Sequence, residues 1–528
     1  MMSSFNDLRR AFTSGRLSRR DFFAGATALG LAAAATNVIG LSPAQADTPK
    51  RGGNLRIGIG GASTTDSLDP RTYADIGVIT LGALVFSSLV EFDENHNLIP
   101  GVIESWEVKP GAKEWVLTLR KGVTFHNGKT LDVDDIIYSI NLHRGESKSG
   151  VVGQTKHITD IRKLSDSQIV LTLSRGDSEL INLLGDFHFK VVPNGFTDWS
   201  KPVGTGPYVF GSFTPGISFH AERNANFWRF DRAFVDSVDV TFIADGAART
   251  NALIAGQVDI INRADRRTVD LLKQSPNVGI ETGPTGWHAI FAARLDTAPF
   301  SDANLRLALK HAIDREQVLK TLFNGYGTVG NDHPVPKSDP FFNSELPQTA
   351  FDLDKAKFYA GKANLGATAL PLSASDVTYE GAVNAAELYQ ASAAKAGIKI
   401  DLHREPGDGF WSNVWLKRPF TGSYWQGRST ALQILSVAYR SDAPWNETVW
   451  KDEKFDKLLI DAAAEIDTAK RKSYIWEAQR LLHENGGAVI PVFADELEAR
   501  SSQVKGYKTG GIDSLFNGRI AEFVWLDA

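Results

Sequence analysis

Hydrophobic and polar residues repeat at two different periods along this chain. Asn54-Leu55-Arg56-Ile57-Gly58-Ile59-Gly60 alternates every second residue and predicts a half-buried strand. Residues 115–120 do the same. Residues 133–141 repeat at helical spacing instead, with Ile136, Ile137 and Ile140 on one side and acidic residues at the start, where they complement the helix dipole. The longest helical pattern runs from Ser301 to Gly325. Leu305, Leu309, Ala312, Ile313, Leu319 and Leu322 share its apolar face, and Gly325 stands where a stop is expected. Residues 380–396 predict another helix, leading through Gly397 into the alternating stretch 398–402. Residues 455–465 and 468–484 read as two more. The mixture predicts an α/β protein with open mixed sheets. Turn-rich breaks fall at residues 202–207 and 296–299, and the proline-rich stretch 332–347 predicts an ordered surface loop.

The N-terminal stretch is patterned as an address. Arg9, Arg10, Arg16, Arg19 and Arg20 precede an Ala-rich apolar run from Phe22 to Leu41, and Ala44-Gln45-Ala46 fits a small-x-small cleavage site. Ser18-Arg19-Arg20-Asp21-Phe22-Phe23 resembles the twin-arginine export motif. Residues 1–46 are therefore expected to be a signal peptide cleaved near Ala46, leaving a soluble periplasmic protein. No later stretch reaches the roughly 18 apolar residues that a membrane helix needs.

Composition narrows the chemistry. A length of 528 residues exceeds one ordinary domain. With 0 cysteines, disulfides, thiolate metal sites, iron–sulfur clusters and a thiol nucleophile are excluded. A net charge of −5 without a basic stripe argues against nucleic acid as a partner. Catalytic patterns fail when tested. Gly128-Lys129-Thr130 lacks the upstream glycine of a phosphate loop, because Val123 stands there. Gly58-Ile59-Gly60 has Ser63 at the third glycine position, and His483-Glu484 has no second histidine in register. Ser502-Gln503-Val504-Lys505 fits only a bare Ser-x-x-Lys spacing, without companion motifs. No catalytic residue, metal site or cofactor is expected. An exported hydrolase acting on peptides or glycans stays open as one reading, and a periplasmic chaperone or signalling partner as another.

Several segments, in order, resemble solute-binding protein family 5, the large periplasmic binding proteins of peptide, nickel and opine importers. They are Ser67-Leu68-Asp69-Pro70; residues 89–92 with 98–101 and Glu104-Ser105-Trp106; residues 119–129 followed by Asp134-Asp135; Gly204-Thr205-Gly206-Pro207-Tyr208; and residues 306–315. The resemblance implies a bilobal, type II-like periplasmic binding protein with an additional third domain. Its implied plan places lobe I in residues 47–90, 203–295 and 497–528, the additional domain in 91–202, and lobe II in 296–496. The ligand would sit between the lobes. It also implies a monomer that captures a small-molecule or peptide-like solute and delivers it to an inner-membrane ABC permease. The motif residues themselves have structural duties as turns, core fillers and helix starts.

Residues 410–450 stand apart as the candidate ligand region. They hold Trp411, Trp415, Trp425, Trp445 and Trp450, five of 12 tryptophans, interleaved with Tyr424, Tyr439, Arg418, Arg428, Arg440 and Asp442. Aromatic faces give large contact area, and arginine recognises carboxylates in a planar, bidentate way. The candidate ligand-binding residues are Trp411, Trp415, Tyr424, Trp425, Arg428, Tyr439, Arg440, Asp442 and Trp445. An aromatic core of lobe II is the competing reading. In peptide-binding relatives the corresponding region carries an Ala-Asp-Tyr run whose aspartate pairs with the ligand's amino group. The match here is Val437-Ala438-Tyr439-Arg440-Ser441-Asp442, with Ala438 at the aspartate position and Asp442 as the candidate replacement. That departure, with Arg428 and Arg440 nearby, points to a carboxylate-rich conjugate, opine or chelate rather than a plain peptide.

Overall fold

The computed structural model describes residues 48–527, so the expected signal peptide lies outside the described residues. The chain opens with β1 (Asn54–Ile59) and α1 (Ile76–Val85), both buried. A four-stranded antiparallel sheet follows, made of β2 (Ile103–Val108), β3 (Glu114–Leu119), β4 (Ile158–Ser165) and β5 (Gln168–Leu173) in the order β2-β3-β5-β4. Against it packs α2 (Val133–Asn141), which the isoleucine spacing predicts. Its start explains the motif at residues 119–135. Asp132 caps the helix, Asp135 closes the capping box, and the Lys129 ammonium pairs with Asp135 at 2.5 Å.

The chain then returns to the first sheet with β6 (Tyr208–Thr214), β7 (Ser218–Arg223), β8 (Ser237–Phe242) and β9 (Ile260–Ile261). The 16-residue strand β10 (Val278–Ala293) leads into α3 (Ala303–Ala312), α4 (Arg315–Phe323) and β11 (Gly327–Val329). After these come β12 (Leu370–Ala374), α5 (Ala382–Ala394), β13 (Ile400–Arg404) and β14 (Phe420–Trp425). The helices α6 (Ala431–Tyr439), α7 (Glu453–Ala464) and α8 (Thr468–Asn485) precede β15 (Ala488–Ser501).

One mixed sheet runs β13-β12-β14-β10-β15-β9-β1-β8-β7-β6, with β11 beside β15. Its two ends have separate hydrophobic cores. One gathers β1, α1 and β6–β8 with the C-terminal residues 504–524, and the others gather β12, α5 and α3, or α6, α7 and α8. Among the described strands only β10 and β15 belong to both ends, because each is long enough to pair across the middle. Their register breaks there. Pro284 lies opposite Asp495 but His288 lies opposite Phe493, so Thr285, Gly286 and Trp287 bulge out of the ladder.

Two expectations need correcting. The pattern from Ser301 to Gly325 is two helices, not one. Ile313 is extended, and Asp314 caps α4 by accepting from the Gln317 amide at 3.0 Å, so a new helix starts while the apolar face continues. The stretch 332–347 is not all surface. Asp332 and His333 are buried, because Asp332 is drawn inside by Arg315 at 2.7 Å.

Candidate ligand-binding site

The bulge in β10 is a meeting point of four segments. The turn after β14 packs directly on it. A Cβ on Gly427 would come within 1.8 Å of the Thr285 carbonyl oxygen, so only glycine permits that approach. Gly286, at φ +75°, takes the left-handed conformation that completes the bulge. Trp287 projects from the bulge and stacks on Tyr424, with ring centroids 5.8 Å apart and planes 20° apart. It also meets Tyr379 edge-on at 5.2 Å. Trp411 continues this aromatic wall, 6.1 Å from Tyr424 and 5.6 Å from Trp415, and is 43% exposed.

Arg428 follows Gly427. Its Nη1 donates to the carbonyl oxygens of Gln426 at 3.1 Å and Gly427 at 2.9 Å, and its guanidinium lies 5.6 Å from the Trp425 ring. The side chain is partly buried, yet among the described residues no carboxylate pairs with it. Burial pushes the guanidinium below its usual value, while Asp186 and Tyr424 act the other way.

On the far side of the same turn stands the four-stranded-sheet region. Thr430 Oγ1, which caps α6, donates to Glu179, and Gln433 Nε2 donates to Gln154 at 3.2 Å. Ser178 donates from its amide to Ala463 at 2.6 Å and from its hydroxyl to Ala462 at 3.2 Å. Burial pushes the Glu179 carboxyl up to about 7, opposed by the Thr430 hydroxyl and Arg471 and reinforced by Asp177 and Asp339. Parting these faces returns Glu179 toward its ordinary value. The contact is thus strongest below that value and is lost as pH rises through about 7. Small-angle scattering of the ligand-free protein should give a smaller radius of gyration at pH 5.5 than at pH 8, with Glu179→Gln flat. A wild-type radius unchanged across that range refutes the argument.

The third neighbour is acidic. Glu496, Glu498, Asp513 and Ser514 line a cavity of about 10 Å³ beside Thr285, room for no more than a water. Glu498 accepts from Tyr507 Oη at 2.7 Å and from the Leu515 amide, and burial pushes its carboxyl up to about 8. These bonds brace Leu515, Phe516 and Asn517, all left-handed at φ 55°, 53° and 59°. Sequence reasoning named none of these residues, because they are close only across β15 and the C-terminal segment. It also missed Trp287 and Tyr379, whose part comes from the bulge.

The remaining candidates lie elsewhere. Trp425 and Tyr439 are buried in the core beside α6 and α7. Trp445 is 44% exposed and lies 6.1 Å from Trp425. Arg440 and Asp442 pair with each other at the end of α6. Ala438 stands where the peptide-binding relatives are expected to carry their aspartate. Ala438 is buried within the core face of α6, so its side chain fills the core, and Arg428 is the charged residue this stretch presents at the bulge. Among the described residues, no group of three or more His, Asp or Glu could hold a metal ion, and no helix is long and apolar enough to cross a membrane.

The model of bacterial extracellular solute-binding proteins, family 5 (middle), matches residues 97–446. The chain belongs to that family. It is a solute-binding protein and not the hydrolase considered as the alternative. It is 25% identical over 443 residues to di/tripeptide-binding protein 1 of Pseudomonas aeruginosa, covering 76% of this chain and 81% of that one. Two solved structures are similar, each with a TM-score of 0.73. One is the periplasmic binding protein DppA of Helicobacter pylori in complex with the peptide STSA, at 22% identity over 91% of this chain and 99% of that one. The other is AgaA of A. tumefaciens R10 in complex with agropinic acid, at 24% identity over 90% and 99%. The bilobal periplasmic-binding-protein architecture expected from the sequence is therefore the fold of this family member.

Proposed function

We propose that this chain is the periplasmic capture component of an ABC importer for a peptide-like solute bearing one or more carboxylates, an opine or chelate included. The observation that carries the reading is Arg428. It is a partly buried cation beside the β10 bulge, resting on an indole, with no carboxylate paired to it among the described residues. A buried or half-buried charge kept without a partner is costly unless a ligand supplies one. Trp411 and Tyr424 offer the flat apolar surface that accompanies such a head group, with Trp415 at its margin. Arg440 and Asp442 already satisfy one another, which makes them weaker candidates than Arg428. Agropinic acid in AgaA and peptides in DppA bracket this chemical class.

In this reading lobe I comprises residues 47–90, 203–295 and 497–528, the additional domain 91–202 and lobe II 296–496, with β10 and β15 as the crossing strands. The ligand touches both sides only when they close, so its differential affinity for the closed form drives capture. Residues 1–46, with Arg19-Arg20 and Ala44-Gln45-Ala46, would export the folded monomer by the twin-arginine route, with cleavage near Ala46. Calorimetric titration tests the ligand class. Glutathione and agropinic acid are expected to bind at least tenfold tighter than trialanine amide, which has no carboxylate. Equal or tighter binding of trialanine amide overturns the anionic reading.

A further inference from the structure

Beneath the platform that carries Arg428 lies a buried carboxyl with no part in the architecture described so far. Glu447 is 5% exposed, and its Oε1 accepts from the Trp425 indole Nε1 at 2.7 Å. The Trp425 ring in turn lies beneath Arg428. The other oxygen of Glu447 has no hydrogen-bond partner, and neither do the buried Trp415 Nε1, Ser423 Oγ and Tyr439 Oη. Those three groups surround the same carboxyl. Trp415, Trp425 and Tyr439, candidate ligand contacts in the sequence, thus converge on one buried acid.

We propose that Glu447 is a positioning residue for ligand capture: it fixes the Trp425 indole under the Arg428 guanidinium, and so sets affinity for carboxylate-bearing solutes. The inference rests on Arg428 as the ligand's anchor. An indole has one N–H and can rotate about its own stem, so a single acceptor at 2.7 Å decides its orientation. A neutral carboxyl suits the place. Its carbonyl oxygen takes the indole N–H, and its O–H can be given to Ser423 Oγ or Tyr439 Oη. Burial pushes the group up to about 8, against the pull of the two indoles and Ser423. When Glu447 ionises, a negative charge appears behind Arg428, and the site's attraction for anions falls.

The test combines spectroscopy with binding. In the ligand-free wild type, tryptophan emission should titrate near pH 8; Glu447→Gln, which keeps an acceptor and a donor, should not titrate. The affinity for glutathione and agropinic acid should weaken as pH rises through about 8 in the wild type and stay flat in Glu447→Gln. Glu447→Leu should weaken it by roughly tenfold at pH 7. Because Glu447→Leu can disturb folding, its far-ultraviolet dichroism and melting temperature are compared first, and Glu447→Gln carries the test if it is unfolded. Wild-type binding that Glu447→Gln leaves with the same dependence on pH overturns the positioning role and leaves Arg428 standing. Binding that also survives Arg428→Gln overturns the anchor, and with it the inference.

Discussion

Replacing Asp332 by alanine lowers folding stability by about 3–5 kcal/mol, the cost of leaving a buried cation without its partner. Arg315 Nη2 reaches both Asp332 oxygens, at 2.7 Å and 2.8 Å, and the two side chains are 4% and 0% exposed. Asp332 Oδ1 also accepts from the Ile490 amide at 3.0 Å, so one carboxylate ties the start of α4 to β15. Lys310 lies close by, and burial pushes its ammonium down to about 8. Burial alone would raise the Asp332 carboxyl, but Arg315, Lys310 and His483 outweigh it and hold it below its usual range. Its contribution is therefore present at neutral pH and is lost only as pH falls below the ordinary carboxylate value. Urea unfolding followed by tryptophan fluorescence measures the effect. The double variant Arg315→Met with Asp332→Leu should recover much of the loss, since apolar isosteres of a buried pair are often tolerated. An Asp332→Ala midpoint indistinguishable from wild type refutes the argument.

Replacing Arg428 by glutamine weakens binding of glutathione or agropinic acid by about 2–3 kcal/mol, roughly 30- to 150-fold, while leaving the melting temperature nearly unchanged. The split between affinity and stability follows from the geometry. Among the described residues Arg428 bonds only carbonyl oxygens of its own turn, at 2.9 Å and 3.1 Å, so removing it orphans no buried carboxylate there. Lysine should restore only part of the affinity, because an ammonium cannot present the planar fork or stack on Trp425 as a guanidinium does. Calorimetry at two salt concentrations checks both points. A change in melting temperature without a change in affinity would assign Arg428 a purely structural role.

Much of the architecture was legible in the sequence. The alternation at residues 54–60 marks β1, and the spacing of Ile136 and Ile140 marks α2 with its acidic cap. The break between α3 and α4 was harder to read. Leu309, Ile313 and Leu319 stay on the core side through it, and an aspartate in mid-pattern gives a weaker signal than a proline. For the site, the sequence singled out residues 410–450, the stretch that supplies the proposed anchor Arg428. It could not sort its neighbours. Tyr424 and Trp425 are adjacent, and in a strand adjacent side chains face opposite ways. Tyr424 thus reaches Trp287 on one side of β14, while Trp425 turns inward to Glu447 on the other.

By itself, then, the sequence determined the class of protein, the family and the elements its patterns mark, other than the break between α3 and α4, because periodicity and ordered motifs are local properties of the chain. Only the tertiary structure decided which aromatic rings form a wall, which fill a core, and whether a charge has a partner. Those depend on segments hundreds of positions apart: the bulge at Thr285–Trp287, the contacts of Gln154 and Glu179, and the acids around Asp513. An arginine in a sequence is only a cation. Arg428 becomes a candidate anchor because the fold brings an indole beneath it and, among the described residues, leaves it in no ion pair, with Asp186 acting on it only from longer range.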